Sequence, residues 1–425
     1  MNVVLYDDAT GFLEPLTLTR PVFELRCGLD TLAAKQLWHF GAPLQAVFVR
    51  EPLAQIWRDE HPDVAVNTPL QETPLATAVA IVNGRWLPPP TAASIQEPAI
   101  GLVDDEIAWV LLCPKQARGL SPRNLAERLT TYQKELPVRQ AGGRLVRFPW
   151  DLVRFNGEQL CQDFARHAAT MPGRLDATSA VIGPRERLWL AATAHLDPLV
   201  VIDTRLGPVV IDDHAVVTAF TRIEGPCHIG PHTHVLGAKV RGETALGPMC
   251  RVGGEIEASI IHAYSNKYHD GFLGHAYVGE WVNLGAGTCN SDLRNDYGPV
   301  QVPIHGKLTA TGLTKVGCFI GDHSKTGLGT LLNTGSSVGV FCNLLPAGRL
   351  APKHVPSFTT WWNGNLRESA DWGQLLTTAG EVMRRRGRPL TDAHRELYLH
   401  VFDETALERR RALRDADSGR RRQAG

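Results

Sequence analysis

The chain has 425 residues, 43% of them hydrophobic, and 44 Lys plus Arg balance 44 Asp plus Glu. That length calls for two or three domains with sizeable cores, and a formal charge of +0 excludes a global electrostatic case for nucleic acid or a membrane surface. Eight cysteines without a C-x-x-C pair exclude a disulfide framework and a structural zinc site.

In chain order, residues 1–170 read as α/β. Val3-Val4-Leu5-Tyr6 is a short apolar strand that ends on Asp7-Asp8, as a buried strand ends at a loop facing a site. The segment MNVVLYDDATG carries acids where a signal peptide carries a basic region, and no apolar run reaches membrane-spanning length, so a cytoplasmic location is expected. A helix is expected over Leu29–Phe40, a strand over Ala46–Val49, a helix over Glu51–Glu60 and a buried strand over Ala78–Val82, closed by Asn83-Gly84. Ser121 is placed to cap a helix running to Leu136. The alternation implies a largely parallel sheet covered on both faces. Pro149–His167 reads as a helix leading out of this domain.

From Ile211 the pattern changes. Ile211, Val217, Ile223, Ile229 and Val235 fall six residues apart, separated by small, polar and turn-forming residues. Neither a helix nor a strand has that period; a parallel β-helix does, with one aliphatic side chain per short face entering a stacked interior. After a one-residue slip the period resumes at Val240, Leu246 and Val252, again at Phe272, Val278 and Leu284, and a last time at Ile320, Thr326, Leu332, Val338 and Leu344. Asn290–Thr314 is an insertion, and Pro346, Pro352 and Pro356 end the repeats. Thr391 then opens an amphipathic helix through Leu397, Val401 and Leu407, suited to cap the open end of the solenoid. The arginines Arg384–Arg386, Arg388, Arg409–Arg411 and Arg420–Arg422 read as a solvated helix face and tail.

Interruptions of a solenoid are where chemistry is sought. Two stand out: Ile261–Gly271 (IHAYSNKYHDG), which shows no hexads, and Asn283–Tyr297, whose glycines permit close backbone approach to a ligand. His269 is a candidate general base for an amine or hydroxyl attacking a thioester, with His275 close behind. The intervals His262-x6-His269 and His269-x5-His275 lack the three-histidine spacing of β-helix carbonic anhydrases, so no zinc is expected. In the α/β part, Arg20 and Arg26 either pair with phosphates or face solvent, and Asp7 and Asp8 either hold Mg²⁺ or cap a turn.

An α/β domain, hexapeptide coils and then HDGFLGHAYVGEWVNLGAGTCNSD together resemble the GlmU family, the bifunctional enzymes that make UDP-N-acetylglucosamine. VLYDD, LTLTRPVFELRCG, VNGRWLPP, FPWDLVRFNGEQLCQDF and IGDHSKTGLGTLLNTGSSVGV extend the likeness to a divergent bacterial branch of sugar nucleotidyltransferases over nearly the whole chain. The resemblance implies an α/β nucleotidyltransferase-like (Rossmann-like) domain over 1–170. It implies a left-handed parallel β-helix acyltransferase domain over 171–356 and a helical, basic tail over 357–425. The family's catalytic histidine lies fourteen residues before the Asn of its Asn-hydrophobic-Gly-Ala-Gly-Thr motif, and fourteen residues before Asn283 is His269. By the same match Asn283 contacts the sugar phosphate and amine region, Asn290 stands as the first residue of the family's Asn-Tyr-Asp and binds substrate, Lys267 is nearby, and Ala286 meets acetyl-CoA through its backbone. Ser291 stands where the family has a tyrosine. The uridylyltransferase half matches less well: the Gly-rich nucleotide loop is replaced by LTLTRPVFELRCG, and Asn83-Gly84-Arg85 stands where a Gly-Asp holds Mg²⁺. Arg20, Arg26, Asn83 and Arg85 are then its nucleotide contacts, with Asp7 and Asp8 for the metal.

The implied function is acetyl-CoA-dependent N-acetylation of glucosamine 1-phosphate, together with nucleotidyl transfer from UTP to a sugar 1-phosphate, in a homotrimer. Two other readings stand beside it. One is nucleotidyl transfer alone with a purely structural coil; the other is a non-catalytic nucleotide-sugar-binding scaffold.

Overall fold

The computed structural model describes residues 1–8, 11–70, 77–166, 173–369 and 371–423. The chain forms two compact units. The first comprises Met1–Leu13, Thr19–Leu25 and Asp30–Arg147; the second comprises Glu14–Leu18, Arg26–Leu29 and Phe148–Gly425. Among the described residues, no helix is long and apolar enough to cross a membrane.

In the first unit, the apolar strand β1 (Asn2–Tyr6) lies central in a seven-stranded sheet. The other strands are β2 (Leu44–Phe48), β3 (Ala65–Val66), β4 (Val79–Asn83), β5 (Ala99–Val103), β6 (Glu106–Leu112) and β7 (Val138–Gln140), in the order β7-β5-β6-β4-β1-β2-β3. The sheet is mixed where a largely parallel one was expected. β6 runs antiparallel to both β4 and β5. The cause is local: β5 and β6 are joined by Asp104-Asp105 alone, with φ of 46° and 67°, and a two-residue turn of that conformation makes a hairpin.

Helix α1 spans Leu32–Phe40, starting later than expected because the Thr31 hydroxyl accepts from the Ala34 N–H. Gly41, at φ 57°, ends it. Helix α2 spans Glu51–Glu60. Ser121 does not cap the next helix: α3 runs Leu125–Glu135, and Asn124 before it turns its side chain back onto Ser121 and Gly119.

The second unit opens with α4 (Pro149–Phe164); the expected helix end at His167 lies outside the described residues. Coils of short parallel strands follow, and their inward residues stack in three columns. On one face Leu190, Ile211, Ile229, Leu246, Ile261, Val278, Ile320, Val338 and Val355 are paired in unbroken succession. On the second, Leu196, Val217, Val235 and Val252 lead to Lys267, then Leu284, Thr326, Leu344 and Trp361. On the third, Ile202, Ile223, Val240, Ile256 and Leu273 lead to Asn290 and Leu332. Leu273, not Phe272, therefore points inward. The stretch Ile261–Gly271 also keeps the hexad rhythm, with Lys267 in a slot that is aliphatic on the coils to either side, Val252 and Leu284.

One corner of each coil is turned by a residue in the left-handed conformation: His214, His232, Met249, Tyr264, Trp281, His323, Phe341 and Phe358, with φ between 54° and 62°. Each such residue costs about 1 kcal/mol of backbone strain. Stacking offsets it: the rings of Tyr264 and Trp281 lie 4.2 Å apart, His323 and Phe341 4.6 Å, and Phe341 and Phe358 5.1 Å.

The insertion forms an antiparallel hairpin, Gln301–Ile304 with Lys307–Ala310. The coils run past Pro346, through His354–Val355 and Thr359–Trp362, until Asn365–Glu368 folds back antiparallel on the last strand. Helices α5 (Trp372–Arg384), α6 (Asp392–Glu404) and α7 (Ala406–Gln423) follow. Thr391 caps α6 as expected, with Leu397 and Val401 buried, but Leu407 is exposed. Ala412 and Leu413 of α7 pack against the coil core. Arg409 is buried over the Phe402 ring and donates to Glu368 at 2.7 Å.

Because Ile229 is fully buried within a continuous column, Ile229→Ala should cost about 2–5 kcal/mol. A fall in the denaturant midpoint of the coil unit checks this, and an unchanged midpoint would count against the column.

Candidate active site

The loop carrying His269 lies where two successive coils differ in length. Val252 pairs with Lys267 and Glu255 with Phe272. Two residues, Gly253 and Gly254, thus lie between the pairs on one coil, against four, Tyr268–Gly271, on the next. The extra length bulges outward and carries His269 with it. Glycine is needed beneath: a Cβ on Gly253 would come within 2.1 Å of the Tyr268 carbonyl oxygen, and Gly254 has φ +73°.

The loop borders an open cleft of about 490 Å³, lined by His269, Tyr268, Asn266, Asn283, Leu284, Gly285, Ala286, Leu328, Arg251 and Arg386. His269, Asn283 and Ala286, which the sequence places far apart in role, share this one cleft. Its glycine-rich wall is fixed from two sides. The Gly285 N–H donates to Thr326 Oγ1 at 2.9 Å, and the Gly287 N–H donates to the Asp270 carbonyl at 2.9 Å, tying the wall to the His269 loop. Among the described residues, the Ala286 N–H has no acceptor, so it is available to a bound oxygen.

The charge of the cleft is one-sided. Among the described residues, no Asp or Glu lines it, whereas two arginines do. Arg251 donates to the carbonyls of His232 and Cys250, and Arg386 to Asn266 Oδ1 at 2.8 Å. Burial and then the Arg386 charge lower the pKa of Arg251, and burial also lowers that of Arg386. Burial, then Arg251 and Arg386, hold neighbouring His234 below its ordinary value. Arg386 lies just beyond α5, among arginines read from sequence as a solvated face. No local signal marked it, because the fold alone brings it to the cleft.

Two expected substrate contacts lie elsewhere. Lys267 is buried inside the coil, its ammonium donating to the carbonyls of Gly253 and His269. Asn290 is buried in the third column, accepting from the Gly274 N–H at 2.9 Å and donating to its carbonyl at 2.8 Å. Neither presents its side chain to the cleft. Both are polar residues in hexad slots, which sequence reading mistakes for breaks. His275 also sits apart, in a smaller cleft of about 260 Å³, with Nδ1 2.7 Å from Asp292. Burial raises the Asp292 pKa, but the hydrogen bond and charge of His275 outweigh it and leave the carboxyl below its usual range.

In the first unit, the strand ends gather Asp7, Asp8, Asn83 and Arg85. Each acid is bound to an arginine. Asp7, fully buried, accepts from Arg50 Nε at 2.6 Å and from the Val22 N–H at 2.9 Å. Asp8 accepts from Arg85 Nε at 2.9 Å, and Arg85 also reaches Glu106 at 2.9 Å. Asn83 donates to Asp8 and to the Ile107 carbonyl, and accepts from the Arg85 N–H. Carboxylates so occupied do not suit Mg²⁺, which demands near-ideal octahedral oxygen ligation, so no metal-dependent step is derived for them. Arg20 is buried in this unit, its carbonyl accepting from Arg50 at 2.9 Å. Arg26 belongs to the coil unit, where its N–H donates to the Tyr277 hydroxyl and its guanidinium to the Leu29 carbonyl.

Residues 3–170 match the family model described as sugar nucleotidyl transferase. The match covers less than half of the chain. The bifunctional sugar-1-phosphate nucleotidylyltransferase/acetyltransferase of Sulfurisphaera tokodaii is 33% identical over 148 residues, covering 33% of this chain and 36% of that protein. The bifunctional protein GlmU of Rippkaea orientalis is also 33% identical over 148 residues, covering 33% of this chain and 30% of that one. The chain thus spans about a third of the length of the curated relatives it matches. The first of these is a transferase by name. The solved UDP-N-acetylglucosamine acyltransferase of Francisella novicida is 13% identical, covers 50% of this chain and 73% of its own, and has a TM-score of 0.22, too low to carry an argument.

Arg50 is 31% exposed, but its removal strands the buried Asp7 carboxylate. Arg50→Met should therefore destabilise the first unit by about 3 kcal/mol, read as a lowered denaturant midpoint. An unchanged midpoint would show that Asp7 does not depend on Arg50.

Proposed function

We propose that the cleft of the coil unit transfers an acetyl group from acetyl-CoA to the amine of an anionic amino sugar, glucosamine 1-phosphate being the substrate the sequence resemblance implies. One observation carries the reading. His269, the Asn283–Ala286 strip and two arginines meet in one cleft that, among the described residues, no carboxylate lines. The amine nitrogen attacks the thioester carbonyl, and His269 takes the proton that the nitrogen loses. The Ala286 N–H, which lacks an acceptor, lies in the wall where the carbonyl oxygen gains charge, and such a donor contributes a few kcal/mol (about 3) to the transition state. As the tetrahedral centre collapses, the C–S bond breaks and the proton passes from His269 to the departing thiolate. Arg251 and Arg386 supply the charge that attracts a phosphate.

For the first unit the proposal is binding of a nucleoside triphosphate or nucleotide sugar at the strand ends, with Arg85 beside the phosphates. The pairing of Asp7 and Asp8 with arginines favours the second reading, a unit that binds without transferring the nucleotidyl group.

His269→Ala should slow thiol release from acetyl-CoA with glucosamine 1-phosphate by roughly 10²–10⁴-fold; equal rates would remove His269 as the base. Arg386→Gln should raise KM for glucosamine 1-phosphate at least tenfold, about the value of one charge-assisted hydrogen bond, while leaving the KM for glucosamine unchanged. Equal increases for both acceptors would rule out a phosphate contact.

A further inference from the structure

The coil interior holds a cation. Lys267 is 1% exposed and stands in the second aliphatic column, after Val252 and before Leu284. An ammonium there loses its hydration, and burial lowers its pKa accordingly. No carboxylate among the described residues pairs with it within 4 Å; its partners are two carbonyl oxygens, those of Gly253 and His269. An apolar side chain would fill the slot at less cost, so packing does not explain the lysine.

The partners do. From Tyr268 to Gly271 the chain leaves the ladder, and among the described residues no backbone N–H reaches the His269 carbonyl. Asp270, the next residue, is held by the Gly287 N–H, and Gly271 by the Glu255 N–H. Lys267 holds His269, where the ladder does not reach, and it ties that position back to Gly253 on the coil beneath.

We infer that Lys267 is a positioning residue: from inside the solenoid, it fixes the main chain of His269 and so sets the direction in which the imidazole enters the cleft. This rests on the proposed role of His269 as base. Lys267 acts only through the carbonyl of that residue and does not itself touch substrate.

Lys267→Met tests it, because methionine is unbranched, fills the same column and lacks the donor. The first readout is hydrogen exchange, which needs no activity. Protection of the Glu255 and Gly287 amides, which donate to the loop carbonyls of Gly271 and Asp270, should fall at least tenfold in the variant, while that of Ile211–Val235 stays as in wild type. The second readout is thiol release, in which kcat should fall at least tenfold with the KM for acetyl-CoA within twofold. Added to His269→Ala, the same substitution should have no further effect on rate. Unchanged protection of the Glu255 and Gly287 amides in a folded variant overturns the inference. So does unchanged kcat when His269→Ala is inactive. Lost protection in a protein whose wild type shows no transfer supports the hold on the loop and fails the base reading alone.

Discussion

The interior of the coil unit admits one side chain per face per coil, and everything else in that unit follows from this limit. Each inward residue must bury itself between the coil before and the coil after, which is why Leu190 to Val355 form one unbroken aliphatic column. At about 25 cal/mol per Å² of apolar surface, such columns supply most of the stability of strands only two or three residues long. They also make any exception expensive. Lys267 and Asn290 are such exceptions, and each is answered by hydrogen bonds that leave its polar atoms partnered.

The cleft arises from the same constraint. His269 projects into the cleft because its coil, of ordinary hexad length from Lys267 to Leu273, crosses the shorter run from Val252 to Ile256 beneath it. Gly253 and Gly254 make the crossing possible by having no side chains for the loop to strike. The arginines then define what enters. With like charges facing each other and no acid between them, the cleft is most comfortable with an anion in place.

Much of the fold was legible in the sequence. The six-residue period named the solenoid and its inward residues, and the strands β1 and β4 were visible as short apolar runs. The errors have physical causes. A period search for aliphatic residues treats Lys267 as a gap, although its stem packs like theirs, and shifts the next coil by one residue to Phe272. Residue type cannot show that Asp7 and Asp8 are already bound to Arg50 and Arg85, since partners 43 and 77 residues away leave no local trace. Arg386 was hidden for the same reason: a solenoid brings distant sequence to one coil, and helix-face statistics do not know where the coil is.

The stacked corner has a consequence for how this architecture changes. Rings from successive turns touch only if every coil delivers its left-handed residue at the same corner, as Trp281, His323, Phe341 and Phe358 do. A single-residue deletion would carry every later ring off the column. Loss or gain of a whole coil would leave the stack intact, and so would the long excursion between Trp281 and His323, which returns the chain in phase. The corner works as a ratchet on length: the molecule can be edited freely in whole rungs, and hardly at all in fractions of one.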